Sequence, residues 1–138
     1  MDCSPPLLRF PARPTVLIID DEPTVAAAVA GACARAGASV ATAHDGRLVR
    51  PMLEAAAPDG LILDIGLPGR DGIDLLRDVA DLSPRTAVLV MSGRDATWLA
   101  LSTAVGDLLC GGRIAAAQKP IRLETLKAFV ASLRAWPA

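Results

Sequence analysis

Four apolar stretches of this chain run directly into side chains that can do chemistry. Val16-Leu17-Ile18-Ile19 ends in Asp20-Asp21-Glu22, and Gly60-Leu61-Ile62-Leu63 ends in Asp64. Thr86-Ala87-Val88-Leu89-Val90-Met91 ends in Ser92-Gly93, and Ile114-Ala115-Ala116-Ala117 leads to Gln118-Lys119-Pro120. Three carboxylates brought together repel one another and call for a cation. Hard oxygen donors with few protein contacts favour Mg²⁺, which keeps several of its waters. A divalent ion beside a carboxylate can position an incoming phosphoryl group and offset the charge that builds during transfer. One carboxylate can then act as a nucleophile and become an aspartyl phosphate. Lys119 supplies a positive point charge and Ser92 a hydrogen-bond donor for the phosphoryl oxygens. No His or Cys base is required, because a carboxylate is already ionised at about pH 7.

For these residues to meet, the apolar runs must be strands that end on one edge. Short apolar runs closed by turn residues read as buried strands, and strands buried on both faces belong to parallel sheets. Between them lie helical patterns. An Ala-rich helix is expected over 24–36, with Pro23 tolerated at its first turn and Gly37 at its C-terminal cap. A weaker strand is expected over 38–43, and a helix over 45–57 that Pro51 should kink or delay. Further helices are expected over 72–82, stopped by Ser83-Pro84, over 95–109 around Trp98, and from Leu123 through Leu133. The order is βα repeated five times. Right-handed crossovers then give a parallel five-stranded sheet with helices on both faces and strand order 2-1-3-4-5. In that order the ends of strands 1, 3, 4 and 5 share one edge, where ligands of open α/β sheets bind.

Taken singly, each residue has a plainer reading. Asp20 or Asp21 suits a helix cap, Asp64 a turn before Gly66, Ser92 a turn before Gly93, and Lys119 a solvated charge. Their joint placement after four strands of one sheet is what points to a site. His44 reads as a surface loop residue, and Trp98 and Trp136 as packing or edge residues.

Bulk composition excludes several classes. At 138 residues the chain is one domain, and 52% hydrophobic residues suffice for a substantial core. A net charge of -1 with no basic stretch argues against direct nucleic-acid binding. Cys3, Cys33 and Cys110 are an odd count without CxxC spacing, which suits reduced thiols of a cytoplasmic protein. No apolar run is long enough to span a bilayer, and no secretory signal opens the chain. Residues 1–14 carry four prolines and read as a tail. Glycine-rich dinucleotide fingerprints are absent after the first strand.

Read together, Ile19-Asp20-Asp21-Glu22, Leu63-Asp64-Ile65-Gly66-Leu67-Pro68-Gly69-Arg70-Asp71-Gly72, Met91-Ser92-Gly93 and Lys119-Pro120 resemble the receiver domain of bacterial two-component response regulators. The resemblance spans about residues 15–136 and implies a flavodoxin-like (βα)5 three-layer α/β fold. It implies that Asp64 is the phosphoacceptor and that Asp21 and Asp64 ligate Mg²⁺ directly. Asp20 would act mainly through water, and Gly66 would offer its backbone carbonyl. Ser92 and Lys119 would grip the phosphoryl group, and Lys119-Pro120 would be a cis bond. The implied phosphodonor is a sensor histidine kinase or histidine phosphotransferase, docking in part on the first helix. The readout would be altered binding to a downstream protein, or service as a phosphate shuttle or sink. Slow autodephosphorylation is the only turnover expected, so the chain is not read as an enzyme. With no output domain expected after the last helix, neither nucleic acid nor membrane is expected as a direct partner. A homodimer through the last two strand–helix units is open by analogy.

Some positions depart from the family. Receivers usually carry Tyr or Phe three residues before the lysine, and Ala116 stands there. Ser92 and Lys119 are 27 positions apart, which is longer than usual. The resemblance also implies that Arg94, two past Ser92, and Gly66, two past Asp64, would flank the route of an attacking water. The missing ring motivates a rival, a receiver-fold interaction module that works without phosphorylation. A phosphohydrolase with an aspartyl intermediate would need a second acid two residues after Asp64, where Gly66 stands.

Overall fold

The structure is a computed structural model that describes residues 13–55, 57–67, 72–93, 100, 103–104 and 113–135. The expected helix over 95–109 falls almost wholly outside these residues. So do Pro68, Gly69, Arg70, Asp71, Arg94, Trp98, Trp136, Cys3, Cys110 and nearly all of the expected N-terminal tail.

The described elements run β1 (Thr15–Ile19), α1 (Pro23–Arg35), β2 (Ser39–Ala43), a 3-10 turn (Gly46–Leu48), α2 (Val49–Ala55) and β3 (Gly60–Asp64). They continue through α3 (Gly72–Leu82), β4 (Ala87–Ser92), β5 (Ile114–Gln118) and α4 (Leu123–Ala135). The five strands form one sheet in the order β2-β1-β3-β4-β5, and every neighbouring pair is parallel. This is the flavodoxin-like arrangement that the alternation of strand and helix patterns predicts.

Local chemistry explains the element ends. Pro23 opens α1, where its missing N–H has no intrahelical partner to lose. Gly37 takes φ 104°, and the Gly37 and Ala38 amides donate back to Ala34 and Cys33 at 3.0 Å, so the last carbonyls of α1 are satisfied. Pro51 delays the next helix. A 3-10 turn capped by Asp45 comes first, and Pro51 then falls in the first turn of α2. Thr86, expected to open the fourth strand, stays outside it; its hydroxyl donates to the Pro58 carbonyl at 2.6 Å and meets Ser83.

Period-two alternation divides each central strand between two cores. Leu17, Ile19, Leu61, Leu63, Val88 and Val90 face α2 and α3. Val16, Ile18, Ile62, Leu89 and Met91 face α1 and α4. β1, β3 and β4 are buried on both faces and therefore read as unbroken apolar runs. β5 differs, because Ala115 and Ala116 are exposed. Gly60 lies directly beneath α4. A Cβ there would fall 2.8 Å from Leu133 Cδ1 and 2.9 Å from Phe129 Cε2. The glycine lets the sheet and α4 approach closely.

Candidate functional site

Register places the functional side chains. β1 and β3 are paired through Ile19 and Leu63, so Asp20 and Asp64 leave the sheet side by side. Asp64 pairs with Met91 and Ser92 with Gln118, which aligns the ends of β3, β4 and β5. The Ile65 amide donates to the Met91 carbonyl at 3.0 Å, and the Lys119 amide donates to the Ser92 carbonyl at 2.9 Å. Ladder bonding thus continues one residue past the strands and fixes the direction in which Lys119 departs. The Lys119-Pro120 bond is cis, as the resemblance implies.

Lys119 Nζ lies 2.8 Å from Asp20 Oδ2 and 3.1 Å from Asp64 Oδ2. Glu22, which the sequence reading did not single out, stands 3.7 Å from the same ammonium. Asp20 is 0% exposed, Ser92 1% and Asp64 7%, while Asp21 is exposed. Asp20 Oδ1 accepts the Glu22 amide at 2.9 Å, and Asp64 Oδ1 accepts the Gly66 amide at 2.9 Å. Glu22 stands at the N-cap of α1, and its side chain makes no capping bond.

The electrostatics follow from this crowding. Desolvation raises the Asp21 carboxyl above its ordinary range, and the neighbouring Asp64 charge raises it further. Partial burial alone would lower Lys119, but its contacts with Asp20 and Asp64 outweigh that and raise it. Lys119 is therefore a firmly protonated counter-charge.

Ligand oxygens of Asp20, Asp21 and Asp64 all lie within 4.8 Å of one another. An ion with bonds of about 2.1 Å holds its oxygens within about 4.2 Å, so sub-ångström shifts close the cluster around Mg²⁺. Asp20 Oδ2 is wholly buried, and Lys119 is its one partner among the described residues. Such an oxygen suits a cation or a cation-bound water. Oxygen-only donors from short carboxylates also match a hard metal. The residues present fit the group.

Beside the site, Val25, Ala28, Val29, Ile121, Leu123 and Leu126 line an apolar groove of about 560 Å³ between α1 and α4, with Glu22 and Lys119 at one end. His44 is exposed, yet its Nδ1 lies 3.0 Å from the Asp20 carbonyl oxygen, a contact that no motif or spacing announces. Ala116 is exposed on β5 and contributes nothing to the acidic cluster.

The chain matches the response regulator receiver domain family over residues 16–131. The transcriptional regulatory protein TrcR of Mycobacterium tuberculosis is 35% identical over 121 residues, covering 86% of this chain and 44% of that protein. The probable transcriptional regulatory protein TcrX of the same species is 36% identical over 98 residues, covering 71% of this chain and 40% of that protein. The chain therefore spans less than half the length of these relatives. Among solved structures, the signal receiver domain of a putative LuxO repressor from Vibrio parahaemolyticus superposes with a TM-score of 0.75 at 25% identity, covering 88% of this chain and 89% of that one. A CheY-like response regulator receiver domain from Methanospirillum hungatei gives 0.74 at 20% identity, covering 90% and 98%. With the five-stranded parallel fold and an acidic cluster on one edge, the match over most of its length means that the chain belongs to the response-regulator receiver domains of two-component signalling.

Proposed function

We propose that this receiver accepts a phosphoryl group on Asp64 from the phosphohistidine of a sensor histidine kinase or histidine phosphotransferase, with Mg²⁺ bound. The observation that carries the reading is the placement of Lys119 within 3.1 Å of Asp64 and 2.8 Å of Asp20, beside the Asp20, Asp21 and Asp64 cluster. In the transfer a carboxylate oxygen of Asp64 attacks phosphorus. A P–O bond forms, the P–N bond to the donor imidazole breaks, and that nitrogen takes a proton from solvent. Asp20, Asp21, Asp64 and the Gly66 carbonyl would hold the metal, which supplies positive charge against the phosphoryl oxygens. Lys119 pairs with one phosphoryl oxygen and Ser92 donates to another. The groove between α1 and α4 opens beside Lys119 and suits the helix of the phosphodonor.

Water ends the cycle by slow hydrolysis of the acyl phosphate. The readout we propose is altered binding to a downstream protein, or onward passage of the phosphoryl group as a shuttle or sink, in the cytoplasm. No helix among the described residues is long and apolar enough to cross a membrane. The M. tuberculosis relatives are named as transcriptional regulators; that output is theirs.

A second reading has one observation in its favour. Ala116, where the family usually carries a ring, is exposed, so the usual aromatic coupling is absent and the domain would act as a phosphorylation-independent module. Incubation with a small acyl phosphate and Mg²⁺ followed by intact mass measurement separates the two. A single phosphoryl adduct is expected. No adduct across varied metal and pH overturns the phosphoacceptor reading in favour of the module.

A further inference from the structure

Asp20 is held by its peptide as well as by its carboxylate. Its amide donates to the Ala43 carbonyl at 3.1 Å, the last backbone rung between β1 and β2, where Ile19 pairs with Ala43. In a parallel ladder the next rung would bring an amide of the following chain to the Asp20 carbonyl. The ring of His44 meets that carbonyl instead, with Nδ1 at 3.0 Å. A carbonyl oxygen only accepts, so Nδ1 carries the proton, and both the neutral Nδ1–H form and the imidazolium can donate. One side chain thus closes the ladder at the point where the chain leaves the sheet for the acidic cluster. The Asp20 carbonyl belongs to the peptide joining Asp20 to Asp21. Its plane sets where Asp20, wholly buried, ends and where Asp21, exposed, begins.

We propose that His44 is a positioning residue for the divalent-cation site. By gripping the Asp20 carbonyl it fixes the Asp20–Asp21 peptide and thereby the direction of the Asp21 carboxylate. His44 itself ligates nothing. The inference rests on the reading of Asp20, Asp21 and Asp64 as cation ligands and names a residue outside that set which tunes it. It also assigns a role to the one histidine of the chain.

The plainer possibility is that the ring merely rests on the strand end, and then its removal leaves metal affinity untouched. An asparagine at this position carries Nδ2 as many bonds from the backbone as Nδ1 of histidine, so it can donate to the same carbonyl. A leucine fills similar space and donates nothing. Mg²⁺ binding is measured by calorimetry on the wild type, H44A, H44L and H44N, with thermal melts of the metal-free proteins run beside it. H44A and H44L are expected to bind about three- to tenfold more weakly, the loss of one net hydrogen bond expressed at the site. H44N is expected to recover affinity to within about twofold of the wild type. H44L and H44N decide the matter even where H44A fails to fold. Wild-type affinity in H44L, or a loss in H44N equal to that in H44L, overturns the inference. A wild type that binds no Mg²⁺ overturns the cation-site reading beneath it, and that failure is distinct because all four proteins share it.

Discussion

Lys119 Nζ hydrogen-bonds Asp64 Oδ2 at 3.1 Å across 55 positions of sequence, and the same ammonium lies 2.8 Å from Asp20 Oδ2. One cation from the end of β5 therefore balances carboxylates from β1 and β3. This single group makes the acidic edge tolerable to the fold and leaves it attractive to a divalent ion.

Replacing Lys119 by Met removes that balance. Two nearly buried carboxylates are left without their shared partner, and stability is expected to fall by about 1–3 kcal/mol at neutral pH. Urea unfolding measures this, and added Mg²⁺ should restore part of the loss. Acceptance of a phosphoryl group should fall by at least about tenfold. The pH sign follows from the raised Lys119 value. Its contribution is complete below the unfolded value of 10.5 and fades as pH rises through the higher folded value.

Asp21 makes the opposite case. Its carboxyl is raised by desolvation and by Asp64, so its ionisation works against the fold once pH exceeds the unfolded value of 3.8. Asp21→Asn should therefore melt at a higher temperature than the wild type at neutral pH without metal. The same variant should lose most of the stabilisation that Mg²⁺ gives the wild type. Paired thermal melts with and without Mg²⁺ check both signs.

Cys33 is wholly buried on the inner face of α1, and burial raises its thiol from 9.0 to about 11. The unfolded chain ionises first, so stability should decline as pH rises from 9.0 towards about 11, by no more than about 3 kcal/mol. Cys33→Ala should flatten that part of the decline. In a Cys3→Ser, Cys110→Ser background, thiol reagents should label Cys33 only at the rate of unfolding, and urea should accelerate the labelling.

Gly60 tests the packing beneath α4. A methyl group at this position meets Leu133 Cδ1 at 2.8 Å and Phe129 Cε2 at 2.9 Å, inside normal contact distance. Gly60→Ala should cost about 1–3 kcal/mol in urea unfolding as the buried ring and leucine give way. Mg²⁺ affinity should change little, because Gly60 opens β3 and Asp64 closes it.

The reach of the sequence can be judged from these same residues. Asp20, Asp64, Ser92 and Lys119 were legible because each closes an apolar strand, and parallel topology then sends all of them to one edge. The extent of α3 was legible because an apolar face at helical spacing ends cleanly at Ser83-Pro84. His44 was not, since its bond depends on the register between β1 and β2 and on a ring orientation no sequence pattern encodes. Glu22 was missed as a partner of Lys119 because the two approach to 3.7 Å only once the start of α1 and the end of β5 are set on the same edge. The role of Gly60 depends on where α4 crosses the sheet, a relation between segments far apart in the chain. Thr86 has the β-branched side chain of a strand residue, but its hydroxyl finds the Pro58 carbonyl and keeps it in the turn.

The most direct measurement is the site of the phosphoryl group itself. After treatment with a small acyl phosphate and Mg²⁺, borohydride reduces an aspartyl phosphate to homoserine and releases phosphate, and peptide mapping then locates the converted residue. The account predicts homoserine at position 64 alone and none in Asp64→Asn. Conversion at another acid, or an adduct that persists in Asp64→Asn, would contradict it.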